Sequence, residues 1–330
     1  MIAGLTRYRL VVVCGLVGLL AFPLIADLLG DPFLIVLATR IVIYAIAVAG
    51  LDLIIGFGGM VSFGHAAFFG LGAYTIGILA HHALDGSPLP FLPFAWTGTL
   101  DGLVQFPLAI AVAAVFAAIV GVLSLRTTGV FFIMITLAFA QMLFLFFVSL
   151  PTYNGEDGLN VWERSRFPLL DLYDDYHLYY LAAGLLIVVI WLLRRIVNSR
   201  FGMVLRAGKQ NERRLTTLGV PVNRYRLAAF TIAGATAGLS GALAANLLEF
   251  VGPGMMHWTR SGEFMVMVIL GGMGSIYGAL AGAVALLGLE EMLTGLTEHW
   301  ALFLGPILVL VVLFARAGVF GMLAGKDPDK

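Results

Sequence analysis

Long apolar runs separated by short polar interruptions make up almost the whole chain, and each run is close to the ~20 residues a helix needs to cross the hydrocarbon core of a bilayer. Arg7 and Arg9 precede the first run, Leu10 to about Leu29, and no small-x-small cleavage site follows it, so the pattern predicts a retained first span rather than a signal peptide. The second, Pro32 to about Gly56, carries Arg40 and Asp52. On one helix these stand about 18 Å apart, which is too far for an ion pair. The third, Gly56 to His82, has glycines at 56, 58, 59, 64, 70 and 72, too many for a plain lipid-facing helix. Such density suits close helix packing or a broken helix beside a cavity, and the pattern does not choose between them. His65 lies within this stretch, well away from a predicted loop. The fourth run covers about Leu103 to Leu125 and the fifth Gly129 to Leu150, with Thr136 and Gln141 among apolar neighbours. Leu178 to Leu193, then Leu227 to about Phe250, follow on either side of a long polar interruption. From Glu263 to Leu289 the apolar pattern is broken by GGMGSIYG (271 to 278), and a last run starts near Trp300.

Charge sorts the interruptions into two sides. Arg194 to Arg226 holds nine of the chain's 19 Lys and Arg against one acid, Glu212, so the positive-inside rule puts it in the cytoplasm. Within it, residues 200 to 220 read as a short helix with Gly219 as its stop and Pro221 just beyond. That segment is either a solvated connector or a docking helix for a cytoplasmic partner. The 83 to 102 loop, with Asp85, Asp101, three prolines and no Lys or Arg, and the acid-rich 151 to 177 loop belong outside. Alternation closes if the chain breaks near Gly274 and doubles back, leaving Glu290, Glu291 and Glu298 outside and Arg316, Lys326 and Lys330 inside. A single crossing would reverse those two assignments. The break is favoured, giving about nine or ten transmembrane or half-membrane helices in one domain (1 to 330), with both termini cytoplasmic.

Composition agrees: 61% hydrophobic residues, 12% charged and a mean hydropathy of +1.00 define an all-α integral membrane protein in contact with lipid. Formal net charge is zero, and nothing points to nucleic acid. The single cysteine, Cys14, excludes an intrachain disulfide or a cysteine-based metal site. Neither Gly208-Lys209 nor Gly325-Lys326 sits in a P-loop, and no zinc-protease, nucleophile-elbow or dinucleotide motif occurs, so no catalytic or metal-binding residues are assigned. Midplane acids of the kind that couple ion gradients are nearly absent.

Paired Gly-interrupted segments are the best sequence pointer to a transporter's central path, because broken helices expose backbone groups to a solute. One such segment supplies Ser62, Gly64, His65 and Tyr74, and the other Gly271, Gly272, Gly274 and Ser275. Thr136, Gln141 and Asn154 join them as candidate pathway residues. Helix packing is the competing role for these glycines.

Five ordered blocks carry a resemblance: residues 50 to 75, FFIMITLAFAQM (131 to 142), NGEDGL (154 to 159), residues 200 to 230 and VILGGMGSIYGALAGA (268 to 283). Together they resemble the permease subunits of branched-chain amino acid ATP-binding cassette importers, most closely the second of the permease pair. The resemblance implies that the basic segment is a coupling helix, with Arg206, Ala207, Asn211, Glu212, Leu218 and Gly219 facing an ATP-binding subunit. It further implies a bacterial inner-membrane importer with a homologous second permease, two cytoplasmic ATP-binding subunits and an extracytoplasmic substrate-binding protein. ATP would be used by those partners and no cofactor bound by this chain. Tyr153-Asn154 and Asp52 depart from the family's usual residues, which leaves urea, short amides and aromatic or dicarboxylic acids as alternative solutes. An ion-coupled carrier and a membrane scaffold are the alternatives from other classes.

Overall fold

The computed structural model describes residues 2–89, 95–168, 170–297, 299, 302–306, 308–309 and 318–324. It is helical almost throughout. In chain order the helices are α1 (Ile2–Leu29), α2 (Pro32–Asp52), α3 (His65–Asp85), α4 (Gly102–Ser124), α5 (Val130–Val148), α6 (Asp175–Val197), α7 (Arg200–Gln210), α8 (Glu212–Thr217), α9 (Val222–Leu248), α10 (Trp258–Gly271), α11 (Gly278–Leu296) and α12 (Gly318–Ala324). A two-residue strand β1 (Leu159–Asn160) pairs antiparallel with β2 (Phe250–Val251). Eight of the described helices are long and apolar enough to cross a membrane. Helix starts are marked by short polar side chains that take up a free backbone N–H: Asp31 accepts from Phe33, Asp101 from Leu103, Asp174 from Tyr176 and Ser199 from Phe201.

The centre of the bundle is α9, packed against α2, α3 and α4. The AGATAGLSGALAA sequence explains how: with no side chains to hold them apart, the backbones meet directly. A methyl group on Gly241 would collide with the Phe69 carbonyl, one on Gly72 with the Gly238 carbonyl, and one on Gly238 with Ala113. Ser240 donates to the Ile43 carbonyl at 2.6 Å, which uses its hydroxyl inside the seam. Gly241→Leu is therefore expected to lower the apparent Tm in detergent by at least about 5 °C, since overpacking a closed site costs about 1–3 kcal/mol or more. Gly184→Leu, where nothing lies within 4 Å, should leave it unchanged.

Two breaks interrupt the spans, one where the apolar pattern runs straight from the second run into the third and one at the Gly-rich 271 to 278 stretch, where the pattern predicts it. The α2 helix runs on as a π-helical turn, Leu53–Phe57, and the chain is then irregular until His65, so the third span is shorter at its start than the sequence pattern predicts. At the second break, α10 has 14 residues, about 21 Å of helix against a hydrocarbon core of about 30 Å. It ends at Gly272 (φ 107) and Gly274 (φ 77), and α11 returns antiparallel beside it. Gly271 and Gly282 make that return tight, since a methyl on either would strike the Gly278 or Met267 carbonyl. The chain thus doubles back near Gly274 as expected. The final span expected from Trp300, and Glu298, Arg316, Lys326 and Lys330, lie largely or wholly outside the described residues.

Candidate functional site

The Gly-rich stretch after α2 gathers its polar residues around the start of α3. Backbone N–H groups at and just before the start of α3 are taken by hydroxyls from its own stretch and from two distant helices. Ser62 accepts from Gly64 at 3.2 Å, Thr136 on α5 accepts from Phe63 at 3.3 Å, and Ser261 on α10 accepts from Ala66 at 2.9 Å. Gly64 lies against the Thr136 carbonyl, where a methyl would approach to 3.0 Å. His65, the first residue of α3, is fully buried, edge-on to Phe68 at 5.7 Å, with the Ala233 carbonyl beside it. Ser62, Gly64, His65 and Thr136 are thus brought together, and the hydroxyls hold the start of α3. Ser261, which sequence reasoning missed, completes the set; only its neighbours in space reveal it.

Tyr74 lies farther along α3, its ring 4.1 Å from that of Phe147, and its hydroxyl has no hydrogen-bond partner among the described residues. Gln141 is half-buried on α5, a little over a turn beyond Thr136. Asn154 stands apart, exposed in a left-handed turn (φ 58) of the 151–177 segment.

The second Gly-rich stretch meets the first at Gly56. Gly274 donates its N–H to Asp52 Oδ1 at 2.7 Å, and a methyl on Gly56 would collide with that same Gly274 backbone. Gly271 is a packing glycine, Gly272 and Gly274 form the turn, and Ser275 follows with its N–H on the Gly272 carbonyl at 3.1 Å. On the far side, Lys209 Nζ of α7 donates to the Gly56 carbonyl at 2.7 Å. Lys209 thus ties the basic segment to Gly56, and Gly56 and Asp52 in turn meet the broken α10–α11 hairpin at Gly274. The sequence marked neither Lys209 nor Asp52 for this, because the contact between Asp52 and Gly274 spans 222 positions.

The basic segment itself is two helices rather than the single one predicted. Asn211 leaves helical geometry (φ −155, ψ 94), and its side chain caps α8 by accepting from Arg214 at 3.0 Å. Gly219 (φ 79) closes α8 as expected. Gly202, Leu205 and Gly208 turn inward, while Arg206 donates to the Val197 carbonyl at 3.3 Å and Ala207 is half-buried. Glu212 is held by Arg226 at 2.8 Å. Outward stand Leu218, 71% exposed, and Met203, 55% exposed. Among the described residues no group of three or more His, Cys, Asp or Glu is placed to hold a metal ion.

Broken helices around a tightly packed centre, with a two-helix basic platform tied to one of the breaks, define a multi-pass membrane protein of the permease class. The family described as branched-chain amino acid transport system / permease component matches residues 33–313, and the chain belongs to it. It is a transport subunit and not an enzyme. A high-affinity branched-chain amino acid transport system permease protein LivM from Salmonella typhimurium is 28% identical over 310 residues, covering 87% of this chain and 69% of that protein. LivM from Escherichia coli K12 is 26% identical with the same coverage. A LivH permease protein from Methanocaldococcus jannaschii is 28% identical over 42% of this chain and 45% of its own length. No solved structure matches the chain.

Proposed function

We propose that this chain is the membrane-spanning permease subunit of an ATP-binding cassette importer for the branched-chain amino acids leucine, isoleucine and valine, paired with a second, homologous permease. The names of these relatives support the solute and the pair. The observation that carries the coupling is the α7–α8 platform: its outward face offers Leu218 and Met203 to a cytoplasmic ATP-binding subunit, and its inner face reaches Gly56 through Lys209. In this reading ATP is hydrolysed on two such partner subunits, and this chain binds no cofactor of its own. The basic segment faces the cytoplasm of a bacterial inner membrane, and the 151–177 segment faces an extracytoplasmic substrate-binding protein.

The test is leucine uptake by the assembled subunits in proteoliposomes. Uptake is expected to require internal ATP and to survive collapse of the membrane potential; dependence on the potential alone would select an ion-coupled carrier instead. Leu218→Asp removes no contact within the bundle, because the side chain is exposed. It should leave the chain folded in the membrane while reducing uptake at least ten-fold, and normal uptake by that variant would refute the docking role of α8.

A further inference from the structure

Four charges of both signs lie on one side of the bundle, on the spanning helices α2 and α11 and on the short helix α10. Arg40 on α2 faces Glu290 on α11 at 3.5 Å, and Arg260 and Glu263 pair on α10 at 2.8 Å. Arg260 is also within electrostatic reach of Glu290 and Tyr44, and the Arg40 guanidinium lies over the Tyr44 ring at 5.6 Å. Arg40 stands eight residues inside α2 and Glu290 six residues before the end of α11, depths of about 12 and 9 Å along their helices. Their side chains are 30% and 27% exposed, and those of Arg260 and Glu263 are 37% and 41% exposed.

Hydrocarbon does not solvate charges that are open to this extent, so this side faces water or protein. The outer faces of α4 and α5 provide the contrast: their exposed residues include Val115, Ile119, Met142 and Leu145, and neither helix contains a charge. From Glu263, helical spacing continues along α10 through half-buried Val266 and Ile269 to exposed Met273, at the Gly272–Gly274 turn. A charged head therefore leads into an apolar stripe that ends at the break.

We propose that the Arg40–Glu290 and Arg260–Glu263 pairs line the aqueous entrance of the translocation path and receive the charged ends of an α-amino acid zwitterion. This assignment rests on the importer function proposed above and names the face of this subunit that meets the solute. Two cations and two carboxylates offer a partner to each end of a zwitterion while carrying no net charge that would trap a simple ion. At 3.5 Å the Arg40–Glu290 pair is loose and partly solvated, so exchanging partners with a passing solute costs little. The Leu, Ile or Val side chain then has the α10 stripe beside it.

The test uses single cysteines in a Cys14→Ser background of the complete transporter. Leu37→Cys lies one turn above Arg40, and Val266→Cys one turn below Glu263. Both should react with a charged methanethiosulfonate added from outside, as Trp162→Cys does on its exposed loop, while Val115→Cys on the lipid side should not. Turnover with leucine-loaded binding protein should slow labelling at 37 and 266 at least five-fold. No labelling at either position, with Trp162→Cys reactive, overturns the aqueous face. Labelling that leucine does not slow, in a complex that imports leucine, overturns the zwitterion site alone. A complex that imports no branched-chain amino acid removes the transport function on which the assignment stands.

Discussion

Asp52→Leu is expected to lower ATP-driven uptake at least about five-fold, while Asp52→Asn should stay within about two-fold of the parent. The difference turns on the hydrogen bond that Asp52 accepts from Gly274. Asp52 Oδ1 accepts the N–H of Gly274 at 2.7 Å, in the turn where α10 ends and the chain reverses. An asparagine carbonyl accepts that N–H equally well, whereas leucine leaves it buried without a partner, at a cost of about 1–3 kcal/mol. Since about 1.4 kcal/mol is a factor of ten in rate, the loss is measurable if the turn's geometry matters in the limiting step. Neighbouring groups leave no slack: Gly56 is pressed against the Gly274 backbone, and Lys209 fixes the Gly56 carbonyl at 2.7 Å. In the proposed importer, a displacement of α7 by an ATP-binding subunit would be delivered to the α10–α11 hairpin through these contacts. Uptake and ATP hydrolysis should be measured together. In Asp52→Leu hydrolysis should continue while uptake falls; equal loss of both would mean the bond only holds the fold together.

What was legible in the sequence divides along a physical line. Bilayer thickness fixes span length, so the apolar runs located α2, α4, α5, α6 and α9 well. Glycine density located the break at 271–278, because a turn with φ of 107 and 77 needs glycine. The same density in 56–72 announced a break without its register, since both packing and turn glycines occur there: Gly72 meets the α9 backbone, whereas Gly59 (φ 68) lies against Lys209. The split at Asn211 was missed because its neighbours are polar helix formers, and a cap is visible only in the geometry of one side chain. Arg40 and Asp52 are too distant on α2 to pair, and their partners, Glu290 and Gly274, lie in the far half of the chain. The hydroxyls of Ser62, Thr136 and Ser261 converge for the same tertiary reason. No spacing rule connects three residues on three segments.

Arg164→Ala should loosen the entire 151–177 segment and abolish stimulation of the transporter by its loaded binding protein, with basal ATP hydrolysis unchanged. Arg164 is only 9% exposed although it lies in a loop, and its guanidinium ties three parts of the molecule together. Nε reaches Glu249 at 2.8 Å at the end of α9, and one terminal nitrogen reaches both the Leu172 carbonyl at 2.6 Å and Asp175 at 3.1 Å at the start of α6. Next to it, Ser165 donates its N–H to Asn246 at 2.7 Å and its hydroxyl to Gln105, so α4 joins the same knot. Breaking a buried ion pair costs about 3–5 kcal/mol. Here the figure is discounted, because Glu249 and Asp175 are 51% and 39% exposed and water partly replaces the lost cation. A loss of about 1–3 kcal/mol remains, carried by the Leu172 carbonyl and the charge-assisted bonds. Arg164→Lys should behave nearly as badly, since a single ammonium does not reproduce the planar fork. Limited trypsin digestion reads the local effect: cleavage after exposed Arg166 should need at least about five-fold less protease in either variant. Because α7 and α8 lie at the other end of the bundle, the contacts proposed for them with an ATP-binding subunit should be untouched. Unchanged protease sensitivity together with normal stimulation would show that the β1–β2 pair and the Ser165 bonds hold this segment without Arg164.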